Sequence, residues 1–301
     1  MKTTNNNVHS VHTYFKQLGL EFDADRGTLW LDMKSQPRPC FTPTLLGELR
    51  KYQRTLEHGE GFWNHEGEPA RVDYQVLTST TPGVFNLGGD LHNFLNWIRE
   101  GDRQALSDYA RSCVDVLYPN IVGYDLPVTT ISLVRGQALG GGFEAALSSQ
   151  IIIAESGSQM GLPEILFNLF PGMGAYALLC RRVAPHVAEK MILSGRLYSA
   201  DELHEMGIVD HVCEPGQGVR ATERFIARHR RQSNGFLGLQ RARQVEHRIT
   251  AEEMLEVTDI WVDSALNLND RDQRTIERLV RAQDKSTATT VDTSTLRAGT
   301  A

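Results

Sequence analysis

The sequence predicts an α/β fold, built on a largely parallel sheet with crossover helices and followed by a helical C-terminal part. Two observations predict it. β-Branched apolar runs alternate with helical segments as far as about residue 215, as parallel sheet requires. From about Gly216 the strand signal disappears and apolar residues recur at helical spacing. The expected division is a flexible stretch over residues 1–12, a core over 13–215, a helical part over 216–285 and a disordered tail over 286–301.

Taken in order, the run from Thr28 to Met33 alternates like a strand, and Leu45, Leu46 and Leu49 place a helix between Thr42 and Tyr52. Val72 to Leu77 is a second apolar strand. The segment from Thr81 to Asp90 reads as a strand ending in glycines, with Asp90 able to cap the next helix. Leu91 to Tyr118 is helical with a break near Gly101 and Asp102. Thr129 to Val134 is a strand that runs into a glycine cluster, and Gln150 to Ala154 is another. A loop from Phe170 to Gly174 leads to a helix that ends near Arg182. In the C-terminal part Met254, Val257, Trp261, Ala265 and Leu268 share one helical face, and Ile276, Leu279 and Val280 continue the pattern.

Composition narrows the function classes. The formal charge of −6 argues against a general nucleic-acid binder, which needs a basic face. The 4 cysteines are scattered and form no CxxC pair, so reduced thiols are expected in place of a disulfide framework or zinc site. His204 and His211 lack the spacing of a zinc helix, and no metal or cofactor is indicated. The N-terminal residues do not read as a signal peptide and no apolar run is long enough to span a bilayer, which predicts a soluble, cytoplasmic protein without a membrane partner.

The strongest chemical signal is Gly140-Gly141-Gly142-Phe143-Glu144, which follows a strand and opens a helix. Glycines let backbone N–H groups approach a ligand, and a helix N-terminus carries partial positive charge, so the loop suits an anionic oxygen. A phosphate loop or a plain strand-to-helix turn would use the same glycines. However, no Gly-Lys-Ser/Thr follows, and the glycine intervals are not those of a dinucleotide site. Phe85-Asn86-Leu87-Gly88-Gly89-Asp90 could bring a second N–H to the same point, or simply form a turn. Two donors aimed at one developing oxyanion are worth about 3 kcal/mol each in comparable enzymes. Ser148 and Ser149 lack a G-x-S-x-G elbow, and Cys180 reads as core.

In order and spacing, Phe-Asn-Leu-Gly-Gly-Asp, Gly-Gly-Gly-Phe-Glu, Met-Gly-Leu-Pro-Glu and Phe-Pro-Gly-Met-Gly resemble the crotonase (enoyl-CoA hydratase) superfamily. The resemblance implies a spiral of ββα units, oxyanion N–H groups at Gly89 and Gly141, and catalytic carboxylates at Glu144 and Glu164. Three of these motifs in longer form, over residues 84–91, 138–148 and 169–176, together with Ile260-Trp-Val-Asp263 and Arg278-Leu-Val-Arg-Ala-Gln283 are similar to the diffusible signal factor synthases. That narrower resemblance implies dehydration of a 3-hydroxyacyl thioester on acyl carrier protein, then hydrolysis to a free cis-2-unsaturated fatty acid used in quorum sensing. It also implies trimers or hexamers, and for some members restraint by the receiver domain of a sensor kinase. Met173, Trp261 and Leu279 are then expected to line the acyl pocket, although an apolar helical face is also what ordinary core looks like.

Two carboxylates in one apolar site repel as anions, so one keeps its proton and the pair supplies a base and an acid near neutral pH. The helix N-terminus should lower Glu144, and the apolar neighbours of Glu164 should raise it, making Glu144 the base and Glu164 the acid. Between Arg220 and Arg248 there are 8 arginines against 2 glutamates, a candidate docking face for an acidic carrier protein. Two other readings remain open. One is an enoyl-CoA hydratase or isomerase of fatty-acid metabolism. The other is a crotonase-fold protein that acts mainly by binding a partner, against which the two glutamates argue.

Overall fold

The computed structural model describes residues 15–281. The expectations for residues 1–12 and 286–301 fall outside that range. The larger sheet has six strands in the order Leu18–Asp23, Thr28–Met33, Tyr74–Ser79, Thr129–Val134, Ile151–Glu155, His211–Cys213. Its first pair is antiparallel and every later pair is parallel. A smaller sheet runs Leu197–Ser199, Gln159–Gly161, Gln137–Leu139, Val84–Asn86.

The two sheets grow together. Tyr74–Ser79 is followed by Val84–Asn86 and the helices Leu91–Glu100 and Arg103–Val122. Thr129–Val134 is followed by Gln137–Leu139 and the helix Gly141–Ser148. Ile151–Glu155 is followed by Gln159–Gly161 and, beyond a loop, the helix Ala175–Cys180. Each turn of chain adds one strand to each sheet and one or two helices, which is the expected spiral of ββα units.

Alternation along the strands separates two cores. Tyr74, Val76, Ile131, Leu133, Ile151 and Ile153 point to one face, where Ile226 of the helix Gly218–His229 covers them. Ile152, Ala154 and Val134 point to the other, which holds the main core and the helices around Phe143 and Tyr109. On that inner face a polar strip is fully paired. The Gln75 amide accepts from Tyr52 Oη at 2.8 Å and from Tyr124 Oη, and donates to Asn120 at 2.9 Å. Asn120 in turn donates to Ser148 and Ser149 at 2.8 and 3.1 Å, so these serines serve packing.

Local signals explain most helix limits. Thr42 caps Pro43–His58 by accepting from Leu45 N at 3.0 Å, with proline at the first position. Gly101 in the left-handed region ends Leu91–Glu100, and Asp102 caps Arg103–Val122, which is the break read at Gly101 and Asp102. Asp90 caps Leu91–Glu100 as expected. After Cys213 every regular element described is helical. The helix Ala251–Leu266 packs on Arg103–Val122 through Met254, Thr258, Trp261, Val262 and Ala265. Val257 is 36 % exposed, so it lies outside the buried face to which periodicity assigned it. Among the described residues, no helix is long and apolar enough to cross a membrane.

Candidate active site

The fold brings six chain segments to one apolar pocket on the inner face of the large sheet. Gly89, Gly141, Glu144, Glu164, Met173 and Trp261 all line it, with Phe94, Tyr109, Cys113, Phe167 and Leu169. Six of the seven residues singled out in the sequence therefore share one cavity. Leu279 does not. It lines a neighbouring cleft with Leu87, Gln137, Leu139 and Pro163, which meets the pocket at Gly89, Leu91, Glu164 and Phe167. Leu279, expected in the acyl pocket, thus sits in the adjoining cleft and not in the cavity that holds both glutamates.

Two glycine loops meet at the pocket, and the sequence permits this only without Cβ atoms. Gly88 has φ +91°, and a Cβ there would stand 2.7 Å from Leu139 O and 3.1 Å from Gly141 N. Gly140 has φ +52°, and a Cβ there would run into Glu164 Oε1. The amides around Gly89 are all engaged: Gly88 N donates to Asn86 Oδ1 at 2.8 Å, and Asp90 N to Tyr109 Oη at 2.9 Å. Gly141 is the first residue of its helix, where N–H groups have no partner within the helix. Gly89 and Gly141 thus both line the cavity and lie side by side, a Cβ built on Gly141 falling 3.6 Å from Gly89 N.

Tyr109 carries a role that no local pattern signals. Its hydroxyl donates to Phe41 O at 2.7 Å while accepting from Asp90 N, which ties the Gly88-Gly89 loop to the chain before Pro43–His58. Those contacts reach across 68 and 19 residues of sequence.

Glu144 is 2 % exposed, and its Oε1 accepts from Met173 N at 3.0 Å and Ala175 N at 3.1 Å. Met173 N lies in the loop ahead of the helix Ala175–Cys180 and Ala175 N opens that helix, so Met173 holds the carboxylate with its backbone as well as lining the pocket. Burial nonetheless pushes Glu144 up to about 7, against the pull of those two bonds. The expected lowering by the helix N-terminus is overturned, since desolvation outweighs the hydrogen bonds to the anion. Burial, followed by repulsion from Glu144, pushes Glu164 up to about 8. Its Oε2 is shielded from solvent and has no hydrogen-bond partner among the described residues. Burial thus raises both carboxyls, Glu144 against two hydrogen bonds to its anion and Glu164 with the added repulsion of Glu144. Cys113 is buried beside them; burial first, and then Glu144, raises its thiol, which is the opposite of what a nucleophile needs.

Trp261 lines the cavity from the helix Ala251–Leu266. It stacks on Phe94 with centroids 5.1 Å apart, and Gly172 passes directly under its indole. Between about pH 7 and 8 the site therefore offers an ionised and a protonated carboxyl, two backbone donors and an apolar tail space. That set can move a proton from carbon to oxygen beside a polarised carbonyl.

The 8 arginines from Arg220 to Arg248 are all exposed. The helix that carries the first of them, Gly218–His229, packs on the outer face of the sheet, opposite to the pocket.

Comparison with known proteins agrees with this geometry. The family model described as enoyl-CoA hydratase/isomerase matches residues 55–264, and the chain belongs to that family. Mouse mitochondrial methylglutaconyl-CoA hydratase is 32 % identical over 142 residues, 47 % of this chain and 43 % of that protein. The fatty acid oxidation complex subunit alpha of Idiomarina loihiensis is 33 % identical over 147 residues, 48 % of this chain and 20 % of that protein. The chain thus spans less than half the length of these curated relatives. Among solved structures, Pseudomonas aeruginosa DspI superposes with TM-score 0.66 at 24 % identity, over 81 % of this chain and 93 % of that one. Human mitochondrial delta3-delta2-enoyl-CoA isomerase superposes with TM-score 0.72 at 18 % identity, over 90 % and 99 %. At these identities the superpositions speak for a shared fold.

Proposed function

We propose that the chain is a synthase of a cis-2-unsaturated fatty acid signal, acting on a 3-hydroxyacyl thioester of acyl carrier protein. The observation that carries this reading is the convergence of Glu144, Glu164 and two glycines on one apolar pocket lined by Trp261. The thioester carbonyl accepts from Gly89 N and Gly141 N, and the acyl tail runs towards Phe94 and Trp261. Glu144 takes the proton from C2, the carbonyl oxygen holds the resulting negative charge, and Glu164 protonates the departing 3-hydroxyl, which leaves as water. In the second half-reaction a water adds to the thioester carbonyl in the same oxyanion hole, one carboxylate taking its proton, and the carrier thiol departs. The cis geometry and the hydrolysis rest on the resemblance of the glycine and Ile260-Trp-Val-Asp263 segments to signal-factor synthases.

The same reading includes assembly as trimers, or as hexamers of paired trimers. It is supported by Tyr176, Leu193, Val257 and Ile260, large exposed side chains that line one surface cleft. Regulation by the receiver domain of a sensor kinase belongs to the same proposal.

The test is to incubate the protein with 3-hydroxydodecanoyl-acyl carrier protein and analyse free fatty acids by mass spectrometry. Release of cis-2-dodecenoic acid, abolished in Glu144→Ala and Glu164→Ala, is the expected result. A second reading, hydration of a CoA thioester, is favoured by the names of the curated relatives. Reversible hydration of crotonyl-CoA without release of free acid would select it.

A further inference from the structure

We infer that the last described helix, residues 270–281, is the docking face for the acidic carrier protein that delivers the acyl thioester. The inference rests on the carrier-bound substrate proposed above and adds where that carrier sits.

Two independent features of this helix converge. Leu279 lines the cleft that meets the active-site pocket at Gly89 and Glu164, so one side of the helix forms a wall of the substrate's approach. Ile276 and Val280 are buried beneath it and fix the helix to the core. On another side stand Arg271, Arg274, Arg278 and Arg281, all exposed. Their spacing of three, four and three residues places them along one helical stripe at 100° per residue.

The acidic residues of the helix do not cancel that stripe. Glu277 is paired with Arg99, and Asp272 is turned inward, accepting from Asn168 Nδ2 at 3.1 Å and Asn269 N at 3.2 Å. Asp270 alone stands at the start of the helix. Arg278 is oriented along the stripe, its guanidinium donating to Thr275 Oγ1 at 3.0 Å. A basic stripe beside the mouth of an apolar pocket suits a partner whose surface is acidic and whose cargo is an acyl chain on a flexible arm. The arginines from Arg220 to Arg231 offer as much charge but lie across the sheet from the pocket. A carrier seated there would be separated from this chain's own glutamates by the whole sheet.

The test measures binding of fluorescently labelled carrier protein, charged with a non-hydrolysable 3-hydroxydodecanoyl amide, by anisotropy against the full chain. Arg274→Glu/Arg278→Glu is expected to weaken binding at least tenfold. It should also lower at least tenfold the ratio of kcat/KM for carrier-bound over pantetheine-bound substrate, a ratio that general damage to the fold would leave in place. Arg220→Glu/Arg224→Glu, with the same change of net charge, should change both by less than twofold. The inference is overturned if the wild type does not bind the carrier, if Arg274→Glu/Arg278→Glu binds as the wild type does, or if Arg220→Glu/Arg224→Glu is weakened as much. Tight carrier binding through Arg274 and Arg278 with no release of free acid would instead uphold the docking face and reject the synthase reaction.

Discussion

Replacing Glu164 by glutamine should make the protein more stable, and increasingly so as pH rises. The folded chain holds Glu164 protonated up to about 8. An unfolded chain loses that proton near 4.3. Between those values the folded state binds more protons, so the stability that this carboxyl permits is whole below the unfolded value, falls as pH rises, and levels off above 8. Each unit of pKa is worth about 1.4 kcal/mol, which sets an upper limit of roughly 5 kcal/mol for the full window. Glu164 is only half-buried, and an effective dielectric constant nearer 20 than 4 around it brings this down to on the order of 3 kcal/mol. Glutamine has the same shape and no charge to desolvate, so Glu164→Gln escapes the cost. For a chain of this size that corresponds to a rise in Tm of roughly 5 °C. Urea unfolding at pH 5, 7 and 9 measures it: the difference from wild type should be small at pH 5 and largest at pH 9. A difference independent of pH, or one that grows towards acid, would refute the desolvation argument. Catalytic activity should be lost in the same variant, so the site would be shown to hold an unfavourable charge for the sake of its chemistry.

Other expectations follow from the same geometry. The pH profile of kcat/KM should be a narrow bell with limbs near 7 and 8, rising as Glu144 ionises and falling as Glu164 ionises, with both values belonging to the coupled pair. A single limb would remove one carboxyl from the reaction. Tyr109→Phe leaves Asp90 N and Phe41 O without their shared hydroxyl, and should cost about 1–3 kcal/mol of stability. It should also lower kcat roughly tenfold at similar KM through a displaced Gly89 amide, as steady-state kinetics would show. Trp261→Ala removes the indole stacked on Phe94 and should cost about 3–5 kcal/mol while extending the pocket. Competition between acyl chains of different length should then shift towards longer ones, and an unshifted preference would place the tail elsewhere.

Much of this was legible in the residues. Thr129–Val134 is found where its β-branched run placed it, and the pause at Gly101 and Asp102 separates two helices. The glycine loops were legible because a backbone that approaches a ligand must dispense with Cβ atoms, and that need leaves its mark on the chain itself. The strand Leu18–Asp23 and the hairpin Phe62–His65 with Glu68–Arg71 were not. The hairpin strands are only four residues each, largely exposed and too short to give a readable pattern, and Leu18–Asp23 is an edge strand of mixed polarity. Tyr109 and the amides of Met173 and Ala175 were equally silent, since a hydrogen bond across 19 to 68 residues has no local spacing. The sign of the shift at Glu144 depended on burial, which a helix position does not encode. Leu279 was expected in the pocket through the family resemblance, and its helical spacing alone marks a face as apolar without saying which cavity that face adjoins.

The decisive step of the proposed reaction is removal of a C2 proton by Glu144 while Gly89 and Gly141 hold the oxyanion. Deuterium exchange isolates it. Dodecanoyl-pantetheine has no 3-hydroxyl to lose, so incubation with the protein in D2O reports proton removal alone, read by mass spectrometry of the recovered thioester. Exchange at C2 is predicted for the wild type and for Glu164→Gln, and should be lost in Glu144→Gln. No exchange in the wild type, or exchange that survives Glu144→Gln and disappears in Glu164→Gln, would contradict the assignment of the base.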